Sequence, residues 1–122
     1  MPHCIIECPA GLARAVGEQT LLGTVHDAID ASGLFTPGDI KVRLALYEHY
    51  RCGATQDDFV HVTLQILSGR SADQRRALAL DTVGALVARL PQVQAVSMDV
   101  REMPRETFVN RRHYLAHAAG QG

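Results

Sequence analysis

The feature that most constrains this chain is an order of elements that occurs twice. His3 to Cys8 is short, apolar and bounded by Pro9, which reads as a strand. Leu22, Val25 and Ile29 then recur at helical spacing, and Ser32-Gly33 supplies a stop. A second strand, rich in β-branched and apolar residues, runs from about Ile40 to Tyr47. After a joint around Tyr50 to Asp58 the order returns. Phe59 to Leu67 alternates as a strand, and Ser71 with Gln74 three residues on makes a capping box. Leu80, Val83, Val87 and Leu90 form an apolar stripe, Pro91 stops the helix, and Val93 to Val100 reads as the last main strand. The openings of the two halves match weakly: Pro2-His3-Cys4-Ile5-Ile6-Glu7 lines up with Val60-His61-Val62-Thr63-Leu64-Gln65, which sets His3 against His61.

The expectation is one α+β domain over residues 1–122, made of two β-α-β units of about 1–57 and 58–122. A helix carries each crossover, so the strands within a unit run parallel. The four strands would form one mixed sheet with two helices on one face. The other face is expected to be too apolar for water and to pack on other subunits. The tail after Pro104, with Phe108, Tyr114 and several arginines, is expected to make subunit contacts.

A chain of 122 residues can bury a core without disulfides or a structural metal, and 47% apolar content excludes a disordered chain. The formal net charge of −1 argues against a general nucleic-acid or membrane-surface binder. Any anion site must therefore be a local cluster of cations. Cys4, Cys8 and Cys52 are odd in number and lack the spacing of a disulfide framework. Cys4 and Cys8 share a strand face, and read better as small buried apolar groups than as a thiol pair or metal site. The histidines form no HExxH pattern, and no metal is expected. The amino terminus lacks the basic and apolar regions of a signal peptide, and no stretch reaches the length of a membrane span; a cytoplasmic location is expected.

Three places carry chemistry. Pro2 directly follows the initiator methionine, and methionine before a small residue is usually removed. Removal would leave a free secondary amine, a group with a pKa of about 8 that burial and nearby cations lower toward the range of a general base. On position alone, an accident of the terminus is the better reading. The second place is Leu67-Ser68-Gly69-Arg70-Ser71, at a strand end just before a helix. The glycine permits a tight turn, and Arg70 with the helix amides would make a carboxylate site; a loop arginine in water reads equally well. The third is Lys41 and Arg43, two apart on the second strand and so on one face. Two cations on an apolar strand need either a bound anion or structural partners, for which Asp39 and Glu48 are candidates.

The opening Met1-Pro2-His3, the turn Ser68-Gly69-Arg70-Ser71 and the run Val100-Arg101-Glu102-Met103 resemble the 4-oxalocrotonate tautomerase family. Taken whole, the chain looks most like that family's duplicated relatives, the 5-carboxymethyl-2-hydroxymuconate isomerases. The supporting stretches are Pro2-His3 through Glu7-Cys8, Gly33-Leu34-Phe35, Phe59-Val60-His61-Val62-Thr63-Leu64 and Gly69-Arg70-Ser71. The resemblance implies a homotrimer of two-unit subunits and a cofactor-independent keto–enol tautomerase. Pro2 would be the catalytic base, and Arg70 the arginine of the family's turn. Lys41 falls where the shorter tautomerases have an arginine; a lysine keeps the charge but loses bidentate recognition, which Arg43 would then supply. Ser97 stands at the corresponding place in the second unit, and Phe108 matches an aromatic near the family's site. The implied substrate is 5-carboxymethyl-2-hydroxymuconate, a polycarboxylate of homoprotocatechuate degradation. The alternatives are another activity on the same scaffold (phenylpyruvate tautomerase, hydratase or dehalogenase) or a non-catalytic trimer that binds a small acid.

Overall fold

The structure is a computed structural model that describes residues 1–120. The elements run β1 (His3–Pro9), α1 (Ala10–Val16), α2 (Glu18–Ala31), β2 (Lys41–Tyr47), β3 (Phe59–Leu67), α3 (Ala72–Arg89), β4 (Ala95–Met103) and α4 (Arg111–Ala118). The strands form one mixed sheet in the order β2-β1-β3-β4. β1 pairs parallel with β2, β3 pairs parallel with β4, and β1 and β3 meet antiparallel at the centre. The α+β expectation is met, with four helices among the described residues rather than two.

Strand alternation decides where the core lies. Cys4, Ile6 and Cys8 of β1 and Val60, Val62, Leu64 and Ile66 of β3 are buried, all on one side of the sheet. Leu21, Val25 and Ile29 of α2 and Leu78 and Leu86 of α3 close over them. In α2 the buried stripe starts at Leu21, and Leu22 is half-buried beside it. In α3 the expected stripe is displaced. Leu80 and Val87 are exposed, and the buried line runs Leu78, Thr82, Leu86 and then Leu90 beyond the helix end, an unbroken series of four-residue steps. Thr82 is fully buried and its hydroxyl has no hydrogen-bond partner. The thiols are structural: burial pushes Cys4 up to about 12 and Cys8 up to about 11.

The open face of the sheet is mixed rather than apolar, with Phe59, Leu67 and Met103 at its ends. β1 shows it His3, Ile5 and Glu7; β2 shows it Lys41, Arg43, Ala45 and Tyr47; and β3 shows it His61, Thr63 and Gln65. Val42 and Leu44 of β2 point toward the helices and pack against the core. The register sets His3 beside Lys41 and His61 beside Ser97.

Two local devices position the residues that follow. Ser71 Oγ accepts from the Gln74 amide at 3.1 Å while Gln74 Oε1 accepts from the Ser71 amide at 3.0 Å, which closes the start of α3. Gly69 just before it has φ +126°, a backbone state that side chains resist, and so lets the chain turn from β3 into α3. No helix among the described residues is long and apolar enough to cross a membrane.

Candidate active site

At the end of the sheet where β1 and β2 begin and β3 ends, a cleft of about 980 Å³ opens. Met1, His3, Lys41, Leu67 and Phe108 line it on the sheet side, and Arg111, Arg112 and His113 of α4 border it opposite. The carboxyl-terminal segment therefore borders a cleft of its own chain, with no residue of α4 buried. The local sequence explains the helix: the Asn110 side chain accepts from the His113 amide at 3.0 Å, and the His113 ring accepts from the Asn110 amide at 3.1 Å. Phe108 packs edge-to-face on His113, with ring centroids 6.2 Å apart.

The charge of this cleft stands out against a chain of net charge −1. Lys41, Arg105, Arg111 and Arg112 line it, and Asp39 is its one lining carboxylate. Asp39 does not neutralise Lys41. The Lys41 ammonium donates instead to the Asp39 backbone carbonyl at 2.7 Å, and Glu48 is occupied with Arg14 at 3.3 Å. Neither structural partner expected for the strand cations is thus in place. Cations gathered without counter-ions are favourable when an anion sits among them.

A smaller recess of about 160 Å³ adjoins the cleft and shares Met1, Asp39, Leu67 and Arg105 with it. Arg70 lies here. Its Nη2 donates to the Leu34 carbonyl at 2.7 Å, and its guanidinium sits 5.4 Å from the centre of the Phe35 ring. Its Nε is buried without a partner. One side of the arginine is spent on holding the loop after α2, and the residue also lines the recess.

Pro2 is buried beneath Met1, and its carbonyl accepts the Lys41 amide at 3.1 Å, the bond that starts the β1–β2 ladder. Its nitrogen carries Met1 in amide linkage. The free amine one residue out, on Met1, titrates below its ordinary value, first because it is desolvated and then because Lys41 bonds and repels it. His3 is likewise lowered by burial, then by the charge of Arg43, whose Nη1 donates to His3 Nδ1 at 3.1 Å. Arg43 lines neither cavity. The structure thus places Lys41 and Phe108 in the cleft and Arg70 in the recess, sets Arg43 behind His3, and keeps Pro2 buried next to Met1, where it lines neither cavity. Sequence reasoning missed Arg105, Arg111 and Arg112. The Asn110/His113 pair, three apart, was the signal for the helix that carries the last two. Among the described residues, no group of three or more His, Cys, Asp or Glu is placed to hold a metal ion.

A family model described as 5-carboxymethyl-2-hydroxymuconate isomerase matches residues 2–114. The 5-carboxymethyl-2-hydroxymuconate Delta-isomerase of Escherichia coli is 31% identical over 78 residues, which make up 62% of this chain and 62% of that protein. The match therefore spans less than two thirds of that relative's length. A solved 5-carboxymethyl-2-hydroxymuconate isomerase from Deinococcus radiodurans R1 superposes with a TM-score of 0.78 at 22% identity, covering 90% of this chain and 88% of its own. A fused 4-OT, a symmetric trimer, gives 0.76 at 21% identity and covers 97% and 98%. At such identities the superpositions establish the tautomerase fold. The family match takes in both strand pairs, both crossover helices and the first turn of α4, and on it the chain belongs to the 5-carboxymethyl-2-hydroxymuconate isomerase family.

Proposed function

We propose that this chain is a cofactor-independent isomerase of 5-carboxymethyl-2-hydroxymuconate, and that Pro2 is its base once Met1 has been removed. The observation that carries the reading is the cleft itself: four Lys and Arg side chains against one carboxylate, in a cleft that Met1 also lines. An unsaturated 2-hydroxy polycarboxylate is the kind of anion such a cluster suits. Removal of Met1 would expose the secondary amine of Pro2 in the surroundings that already lower the Met1 amine. A base that is neutral near physiological pH is what enol deprotonation requires.

The reaction needs one proton moved. The Pro2 nitrogen takes it from the enol hydroxyl, the electron pair spreads along the conjugated chain toward the distal carbons, and the prolinium returns the proton to carbon farther along. Nothing is gained or lost overall. Lys41 and Arg70 hold carboxylates and offset the charge of the dienolate, while Phe108 covers the apolar part of the chain. Arg43 keeps His3 neutral and in place. Only the first β-α-β unit offers an amino-terminal proline, since Val60 stands at the equivalent place with an internal amide, and Ser97 stands where the first unit has Lys41. One site per chain follows, three in a homotrimer of the kind that the fused 4-OT forms. The pathway would be homoprotocatechuate degradation, in the cytoplasm. The test is to follow the dienol absorbance with Met1-free protein: conversion to the 2-oxo isomer, lost on Pro2→Ala, is expected. Absence of conversion by protein confirmed to be Met1-free overturns the proposal.

A further inference from the structure

Arg105 is the cation that borders both cavities. Its Nε donates to the Ser68 carbonyl at 2.7 Å, and a Cβ on Gly69 would lie 3.6 Å from its Nη2. The guanidinium therefore lies along the turn that presents Arg70, anchored by one edge. The ion pairs of the described residues are Arg14–Glu48, His26–Asp27, Arg75–Glu102 and Arg101–Asp99, and none involves Arg105. Nε is its one nitrogen that hydrogen-bonds within the described residues. The terminal N–H groups, a planar pair suited to a carboxylate, are left for a ligand. Arg70 is poorer in donors than it looks, because Nη2 is taken by Leu34 and Nε is buried.

We infer that Arg105 is a further substrate contact, which takes a carboxylate at the boundary between the Lys41 cleft and the Arg70 recess and so favours substrates bearing more than one carboxylate. This rests on the proposed function, in which both cavities serve one ligand. Loss of such a contact weakens binding by about tenfold.

The probe is trans-aconitate, an unsaturated tricarboxylate with no enol to react, titrated calorimetrically into Met1-free protein. Arg105→Gln should bind it about tenfold more weakly, Arg105→Lys should recover part of the loss, and sorbate, with one carboxylate, should be little affected. Arg70→Gln and the double variant separate contact from positioning. If Arg105 makes its own contact the two losses multiply, and KM for the dienol rises while kcat is largely kept. Wild-type affinity in Arg105→Gln, a double variant no weaker than Arg70→Gln, or no binding of trans-aconitate by the wild type would each overturn the inference. Arg105-dependent binding without turnover of the dienol would instead refute the proposed reaction and leave the contact standing.

Discussion

Replacing Arg70 with alanine removes a residue with two roles that the structure allows to be separated. The structural role is the hydrogen bond of 2.7 Å to the Leu34 carbonyl and the stacking on Phe35 at 5.4 Å. A hydrogen bond from a charged donor contributes about 1.5–3 kcal/mol and a partly exposed cation–π contact about 0.5–1 kcal/mol. Against this, the change removes a buried Nε that has no acceptor, which recovers about 1 kcal/mol. The net destabilisation should be about 1–3 kcal/mol, read by chemical denaturation. The functional role is a carboxylate contact, worth another 1.5–3 kcal/mol, or about ten- to a hundredfold in kcat/KM. Misplacement of Leu34 and Phe35 would lower turnover of every substrate alike. The discriminating quantity is therefore the ratio of kcat/KM for the dienol tricarboxylate to that for phenylpyruvate, which does not depend on the fraction folded. That ratio should fall by at least about tenfold in Arg70→Ala. Equal losses on both substrates would refute an Arg70 that reads the extra carboxylates.

Lys41→Met should move the acid limb of the kcat/KM profile between about pH 5 and 9 to higher pH. Burial and Lys41 lower the terminal amine, so the free base persists to lower pH while Lys41 is present, and an unmoved limb would exclude Lys41 from tuning it. Titration with a reactive acid analogue should stop at one equivalent per chain, because Val60 offers no amine, and modification at a second, distinct site would contradict this. Thr82→Val should raise unfolding stability by about 1 kcal/mol by deleting a buried hydroxyl without a partner; a loss of stability would show that the hydroxyl is satisfied in solution.

The parts of the molecule that were legible are those set by neighbours in sequence. Cys4, Ile6 and Cys8 alternate with His3, Ile5 and Glu7, so both the strand and its buried side could be read directly. The Ser71/Gln74 cap and the Gly69 turn are likewise local, and with them the position of Arg70. The face of α3 was misread because the helix carries leucine, valine or alanine on nearly every side. Only the packing against α2 and β4 selects Leu78 and Leu86 over Leu80 and Val87. The polar centre of the open sheet face was hidden because Lys41 and Arg43 look isolated along β2, and become part of a polar patch only when His3, Glu7 and His61 line up beside them. Arg105 could not be found, since the Ser68 carbonyl that anchors it lies 37 residues away. Nor does the sequence foretell that the segment after Pro104 would bring Arg111 and Arg112 to the cleft that Met1 lines.

The central claim is that the nitrogen of Pro2 is the base, and Met1 tests it most directly. With Met1 attached that nitrogen is a tertiary amide with no proton and no useful basicity. Preparations that differ in the fraction lacking Met1, quantified by intact-mass measurement, should show dienol isomerisation in proportion to that fraction. Full activity in protein shown by mass to retain Met1 would contradict the assignment of Pro2.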